Sequence, residues 1–458
     1  MARFVRRTAL PHTPEALYAW HLRPGAFERL TPPWERVRVR DRPPAGIAEG
    51  ADVRLETRVG PLWLPWVAHH TGFVPGRKFE DTQLAGPFSA WHHAHRFEPA
   101  ERGAVLVDDI EYELPLGPVG RLLGAAFVTR KLERMFEHRH RITALDLDAH
   151  AQTRQQGPMN ILVGGASGLV GTALCAFLST GGHTVRRLVR ASGPKGPDAV
   201  PWDPRSGELD PAALEGVDAV VHLSGEPIAS GRWTEAKKRK ILDSRVISTR
   251  MLAEAMARRS TRPKVFVCAS AVGFYGDQGD NVLTEGNRRG DGFLAEVCEA
   301  WEDATRPASD AGVRVVNARL GVVLSPKGGA LAKMLPAFKL GAGGPLGHGE
   351  QYLSWISLED VVGALHHALV TPSLEGPVNL TAPTPVTSRS LAQALGGVLG
   401  RPAALPAPVF ALRAAFGREM ADQTVLASQR AVPKKLLATG YAFRHPELIP
   451  ALHALLGR

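Results

Sequence analysis

The chain has 458 residues, 44% of them hydrophobic and 22% charged, with a formal net charge of +10. That length holds two or three domains, and the balance excludes both a disordered chain and a small disulfide scaffold. No run approaches the roughly eighteen apolar residues of a membrane helix. The start lacks an apolar signal core, so a cytoplasmic chain with no membrane span is expected. Cys175, Cys268 and Cys298 are odd in number and far apart, as reduced thiols are, and they do not suggest a metal site. The positive excess is spread over both halves of the chain. Its one compact run, Lys237-Lys238-Arg239-Lys240, has no interleaved aromatics and reads as a solvated helix face, so no nucleic acid partner is expected.

In chain order, residues 1–150 predict a helix at 13–20 and strands at 52–59, 63–70, 88–97 and 104–113. A long amphipathic helix follows at 128–146, with Leu132, Met135, Phe136 and His140 on one face. Helix, antiparallel sheet and long terminal helix describe an α+β helix-grip domain, a fold that encloses an apolar cavity and so takes an apolar ligand. Alternation of Arg36, Arg38, Arg40 and Arg42 places those charges on the wet side of a strand. His93 and His95 share a strand face, with His69 and His70 near by pattern. No carboxylate or cysteine recurs at ligand spacing, so these histidines read as polar cavity lining and no metal is expected. Of Trp63, Trp66 and Trp91, at least two are expected to fill a core.

Residues 151–158 are polar and aperiodic and read as a linker. Over 159–382, strands at 160–163, 184–189, 218–223, 264–269 and 313–320 alternate with helices at 172–179, 234–258 and 293–310. That alternation is what an α/β doubly wound parallel sheet of the Rossmann type requires. Residues 383–458 hold helical segments punctuated by Pro402, Pro406, Pro408 and Pro433, a small C-terminal cap.

The most informative run is Gly164-Gly165-Ala166-Ser167-Gly168-Leu169-Val170-Gly171, set between a strand and a helix. Glycine permits the tight turn and the close approach of a pyrophosphate, whose charge meets the exposed N–H groups at the start of the helix. The second strand ends at Arg190, where an NAD site usually carries Asp or Glu for the ribose 2′-hydroxyl. A guanidinium suits a 2′-phosphate instead. One charged hydrogen bond contributes about 1.5–3 kcal/mol, roughly tenfold to a hundredfold in preference. NADP(H) is the expected cofactor.

Several further motifs follow in order: His222-Leu223-Ser224-Gly225-Glu226-Pro227, Arg232-Trp233-Thr234, Ser244-Arg245, Ala269-Ser270-Ala271-Val272-Gly273-Phe274-Tyr275-Gly276, Trp301-Glu302, Arg319-Leu320-Gly321, Ser354-Trp355-Ile356 and Pro433-Lys434-Lys435-Leu436-Leu437. Through them the region from 159 onward resembles the atypical extended short-chain dehydrogenase/reductases called epimerase family proteins. Phe79-Glu80-Asp81-Thr82-Gln83, Gly86-Pro87-Phe88 and Trp91-His92-His93-Ala94-His95 resemble polyketide-cyclase/START-like (SRPBCC) domains. The first resemblance implies that Gly165, Ser167, Gly168, Leu169, Val170 and Gly171 surround the pyrophosphate and that Arg190 meets the adenosine phosphate. It also implies that Leu223, Ser224 and Gly225 pass the adenine and ribose, with Glu226 near the nicotinamide ribose.

The chain departs from the superfamily at its acid–base pair, since none of Tyr18, Tyr112, Tyr275, Tyr352 and Tyr441 has Lys four residues on. The register set by Glu302 puts Leu294 and Cys298 at those two places. Ser270 and Tyr275 are then the expected catalytic residues, with Arg319, Tyr352 and Trp355 as substrate contacts. The expected function is NADP(H)-dependent oxidoreduction or epimerisation of a small organic substrate. The alternative is a catalytically degenerate NADPH-binding sensor coupled to the apolar-ligand domain.

Overall fold

The computed structural model describes every residue except Ala45, Ala191, Ser192, Pro194 and Lys195. The chain divides into two compact units. One comprises Met1–Gly157, Ala176–Gly182 and Gly457; the other comprises Pro158–Cys175, His183–Leu456 and Arg458.

The first unit runs β1 (Ala2–Leu10), α1 (Pro14–Leu22), α2 (Ala26–Leu30), β2 (Val37–Asp41), β3 (Asp52–Val59), β4 (Leu62–Val74), β5 (Lys78–Ala85), β6 (Ala90–Ala100), β7 (Gly103–Glu113) and α3 (Gly117–Gln152). Among the described residues the strands form one antiparallel sheet in the order β1-β7-β6-β5-β4-β3-β2. Thr13 starts α1 by accepting a hydrogen bond from the Ala16 amide, with Pro14 in the first turn. Helix α3 buries Leu132, Phe136, His140, Ile142 and Leu147, an apolar stripe at helical spacing.

This helix is longer than the expected 128–146. Its first turns expose Leu122, Leu123 and Phe127, so the apolar period that marks the buried face does not extend there. At the other end it continues to Gln152, into the expected linker, because nothing breaks it before Gly157 (φ +73) and Pro158. Strands β1 and β5 were not expected. Each is rich in charged residues and is held by its sheet neighbours more than by its own propensity.

A buried ion pair ties α2 to α3. Arg29 Nε and Nη2 donate to the Asp146 carboxylate at 2.7 and 2.8 Å, with side chains 4% and 0% exposed.

The second unit runs β8 (Asn160–Gly164), α4 (Leu169–Thr180), β9 (Thr184–Val189), β10 (Ala199–Asp203), β11 (Glu208–Leu209), β12 (Ala219–His222), α5 (Glu235–Ala257), β13 (Val265–Ala271), β14 (Val282–Leu283), α6 (Phe293–Asp303), α7 (Arg306–Asp310), β15 (Arg314–Leu320) and β16 (Val322–Leu324). It continues through α8 (Gly329–Lys339), β17 (Tyr352–Leu353), β18 (Trp355–Ser357), α9 (Leu358–Val370), β19 (Gly376–Leu380), β20 (Val386–Thr387), α10 (Ser388–Leu399), α11 (Val409–Phe416), α12 (Arg418–Gln423), β21 (Arg430–Ala431), α13 (Lys434–Ala438) and α14 (Leu448–Leu456).

The main sheet has the order β11-β10-β9-β8-β12-β13-β15-β19. Apart from the β10–β11 hairpin its pairs are parallel. This is the doubly wound order 3-2-1-4-5-6 extended by one strand at each edge, β11 and β19, with its reversal at β8. The expected helix 293–310 is two helices, since Pro307 sits in the first turn of α7 and begins a new one. Trp355, α8, α10 and α14 share a separate apolar core. Among the described residues no helix is long and apolar enough to cross a membrane.

Removing the Asp146 carboxylate leaves a buried guanidinium without its counter-ion. Asp146→Ala is expected to cost about 3–5 kcal/mol of stability, read as a lower urea midpoint for unfolding of the first unit. A change below about 1 kcal/mol would mean the pair is not holding α2 on α3.

Candidate functional site

Strands β8 and β12 pair in parallel with Gly164 opposite His222, so their carboxyl ends stand side by side. The chain leaves β8 through Gly165 at φ +80, where the Gly168 amide donates to the Gly165 carbonyl at 3.0 Å. A Cβ at position 165 would lie 2.7 Å from the Leu223 carbonyl carbon and 2.8 Å from the Ser224 nitrogen. One at position 171 would lie 2.2 Å from the Gly165 oxygen. Both contacts are with backbone, so glycine is required at each. Thr172 Oγ1 closes the loop by donating to the Ala166 carbonyl at 3.2 Å.

The first amides of α4 have no partner inside the helix, and Ser167 and Gly168 are exposed. An anion placed there meets N–H groups and the positive end of the helix. Arg190 follows the end of β9, the strand next to β8, and is exposed. Leu223, Ser224, Gly225 and Glu226 follow the end of β12 on the other side. The eleven positions expected to bind cofactor therefore sit at three adjacent strand ends, including Leu169 and Val170 in the first turn of α4 and Gly171 beneath them.

Residues of α5 shape this edge. Lys237 Nζ donates to Glu226 Oε1 at 2.5 Å and to Ser230 Oγ at 2.6 Å, and that hydrogen bond holds the Glu226 carboxyl below its usual range. Arg245 Nη1 donates to the Glu226 and Ile241 carbonyls at 3.0 and 2.9 Å, and its guanidinium lies 4.9 Å from the Trp301 ring. His222, fully buried, meets Ser248 Oγ at 2.9 Å through Nε2, and burial pushes its pKa down to about 3. In the sequence Lys237 falls in a run that reads as a solvated helix face, whereas in the fold it is engaged by Glu226 and Ser230. Its signal is the spacing 237, 241, 244, 245 and 248, which puts one stripe of α5 toward the β12 loop.

Four of the expected catalytic and substrate-binding residues lie elsewhere. Ser270, Arg319 and Asn379 are in register across β13, β15 and β19. Ser270 Oγ donates to Glu302 Oε1 at 2.7 Å, and Arg319 grips the same carboxylate through Nε and Nη2, each at 2.8 Å. Arg319 Nη1 donates to the Tyr275 hydroxyl at 3.0 Å, and that hydroxyl donates to Asn379 Oδ1 at 2.7 Å. The Phe274 ring covers the guanidinium at 3.5 Å. Ser270, Tyr275 and Arg319 are 1%, 0% and 3% exposed, and burial raises the Tyr275 pKa. These polar groups are committed to one another in a buried network, which gives Ser270, Tyr275 and Arg319 a structural role in this arrangement. Trp355 is also turned inward. It is fully buried, and its indole donates to the Thr384 carbonyl at 3.0 Å. Tyr352 remains half-buried, with the Arg430 guanidinium 4.8 Å from its ring.

Leu294 and Cys298 do stand beside the end of β13. A Cβ on Gly273 would lie 3.5 Å from Leu294 Cβ and 3.9 Å from Cys298 Sγ. Cys298 is buried, which pushes its thiol up to about 11. Neither side chain relays a proton at neutral pH.

The first unit encloses a cavity of about 530 Å³ between sheet and α3, walled by Trp66, Phe79, Phe88, Trp91, Leu132 and Met135 among others. Trp66 and Trp91 meet edge-to-face at 5.2 Å, and Trp91 also packs into the core with Phe136. Trp66, half-buried, packs against that same core, so two of the three tryptophans serve it, while Trp63 lies under Arg38 at 3.8 Å. His21 lines the cavity, its Nδ1 bonded to the Leu17 carbonyl at 2.8 Å, and burial pushes its pKa down to about 3.

The model of the NAD dependent epimerase/dehydratase family matches residues 161–380. That of the polyketide cyclase / dehydrase and lipid transport family matches 10–138, and a domain of unknown function, DUF1731, matches 407–455. Epimerase family protein Mb2239 of Mycobacterium bovis is 49% identical over 292 residues, spanning 64% of this chain and 96% of that protein. Human epimerase family protein SDR39U1 is 38% identical over 301 residues, spanning 65% of this chain and all of that protein. The chain belongs to this epimerase family.

Among solved structures of the family, human SDR39U1 with NADPH superposes with a TM-score of 0.60 at 37% identity, covering 65% of this chain and 99% of that one. A Corynebacterium glutamicum protein described as a nucleoside-diphosphate sugar epimerase superposes with a TM-score of 0.80 at 35% identity. It covers 99% of this chain and 90% of that one, the first unit included.

Two outcomes check the site description. Burial raises Cys175, Cys268 and Cys298 to about 12, 12 and 11. At pH 8 the native protein should therefore react with less than about one equivalent of a thiol-reactive aromatic disulfide, and its three cysteines should all react once unfolded. Rapid native reaction would show that a thiolate is available. Tyr275→Phe should cost about 1–3 kcal/mol in unfolding while leaving NADPH affinity within about twofold. Weakened NADPH binding at unchanged stability would return the phenol to the cleft.

Proposed function

We propose that this epimerase-family protein is an NADP(H)-dependent oxidoreductase or epimerase acting on a small organic substrate that carries a carbonyl or carbinol carbon. The observation that carries this reading is the glycine cradle between β8 and β12 with Arg190 at the neighbouring strand end. Family membership supports a nicotinamide nucleotide, and the NADPH in the human relative's structure favours the phosphorylated form.

In this reading the amides around Ser167, Gly168, Leu169 and Val170 bind the diphosphate, and Gly165 and Gly171 let it approach. Arg190 takes the 2′-phosphate as a charged hydrogen-bond partner. Leu223, Ser224 and Gly225 bound the adenine and ribose side. Glu226, fixed by Lys237, receives ribose hydroxyls. The bound cofactor supplies a hydride donor or acceptor at its nicotinamide ring. Leu294 and Cys298 make the wall beside Gly273 apolar, so the proton passes to water or to the substrate's own hydroxyl. Tyr352, the expected contact that keeps an exposed surface, offers its phenol to the substrate. In the first unit the apolar cavity takes an apolar ligand.

The apolar pair at 294 and 298 also favours a second reading, a cofactor-loaded sensor without turnover. Incubating the protein with NADPH and a panel of carbonyl compounds and nucleoside-diphosphate sugars separates the two. Loss of reduced-nicotinamide absorbance, or conversion of a panel sugar to its epimer by the protein loaded with oxidised cofactor, supports the enzyme; tight nucleotide binding with neither supports the sensor. Arg190→Asp should weaken NADPH about tenfold to a hundredfold relative to NADH. Unchanged relative affinities would remove Arg190 from the cofactor site.

A further inference from the structure

In β6, His93 and His95 point to one face of the sheet, and β5 places Asp81 directly opposite His93. Asp81, His93 and His95 are 8%, 3% and 7% exposed and line the inner wall of the cavity. Asp81 Oδ2 lies 3.2 Å from His93 Nδ1 and 3.5 Å from His95 Nε2, and one ligand atom from each residue falls within 4.8 Å of the others. Both distances are long for charged hydrogen bonds, which run about 2.7–2.9 Å. They bracket the edge of about 3.3–3.4 Å that a tetrahedron with metal–ligand bonds of about 2.0–2.1 Å would have.

The far side of the His93 ring is held, and the same carboxylate lies behind His95. Asp108 Oδ1 accepts from His93 Nε2 at 2.8 Å and lies 2.8 Å from His95 Nδ1, where the approach is too oblique for a hydrogen bond. Its other oxygen meets His140 Nε2 at 2.6 Å, and His140 Nδ1 meets Thr8 Oγ1 at 2.7 Å. With Nε2 of His93 bonded to Asp108, the ring presents its Nδ1 to Asp81, and a cation bound there would take the place of a proton. A carboxylate behind the imidazoles that fixes their orientation is the outer layer that metal-binding histidines use. Asp108 and His140 stand behind the wall, while Asp81, His93 and His95 stand at it.

We propose that Asp81, His93 and His95 bind one zinc-like divalent cation in the N-terminal unit, with a fourth position open to the apolar cavity. Two imidazoles and a carboxylate with an open position make a catalytic-type set, unlike a closed structural site. The open position takes water or the carbonyl or carboxylate oxygen of an apolar ligand. The proposal is independent of the cofactor site in the second unit.

The test uses the full chain without a histidine tag, stripped by chelator and dialysed against Zn²⁺ or Co²⁺. Expected are one equivalent of tightly held metal per chain, a Co²⁺ absorption spectrum of the four-coordinate type, and a thermal transition raised by added Zn²⁺. Asp81→Asn and His93→Gln should each lower Zn²⁺ affinity at least about a hundredfold, and Asp108→Asn about tenfold to a hundredfold, with NADPH binding unchanged in all three. Absence of stoichiometric metal in the wild type would overturn the proposal, whether or not the variants fold. So would wild-type affinity in Asp81→Asn and His93→Gln, which would assign the binding to other histidines.

Discussion

The backbone of Gly165 runs so close to that of Leu223 and Ser224 that no side chain fits between them, and the nucleotide edge depends on this contact. It requires a positive φ at the end of β8, which turns the chain into α4 with its first amides outward. It also brings the β8 and β12 loops together at the point where strand order reverses, the place where open α/β sheets take ligands. Neighbouring parts are built to the same tolerance. His222 stays neutral and buried beside Gly164, and Arg245 ties down the Gly225–Glu226 turn from α5.

Further along the sheet the polar chemistry is turned inward. Glu302, Arg319, Tyr275, Ser270 and Asn379 satisfy one another across three strands, beneath the Phe274 ring. Such a network contributes less to stability than its Coulomb energy suggests, because desolvation offsets most of the gain. Breaking it is costly, because each member depends on the others. It therefore fixes the register of β13, β15 and β19.

The sequence made the Rossmann half legible because its signals are local. Glycines at fixed spacing, short β-branched strands and the capping Thr234 of α5 each declare themselves within a few residues. The helix-grip half was legible in outline only, since β1 and β5 owe their conformation to partners far along the chain. Missing β5 hid Asp81, and with it the carboxylate that faces His93 across a strand pair. The absence of a carboxylate at ligand spacing in sequence therefore said nothing about its presence in space. The buried network of Tyr275 and Arg319 was illegible for a related reason. Their motifs locate them at strand ends, but only packing reveals that their side chains point into the protein.

Isothermal titration of NADPH and NADH into the purified full chain is the most direct test of the glycine cradle with its adjacent arginine. One site per chain is expected, with NADPH the tighter ligand by about tenfold or more. No heat with either nucleotide, or equal affinity for both, would contradict that assignment.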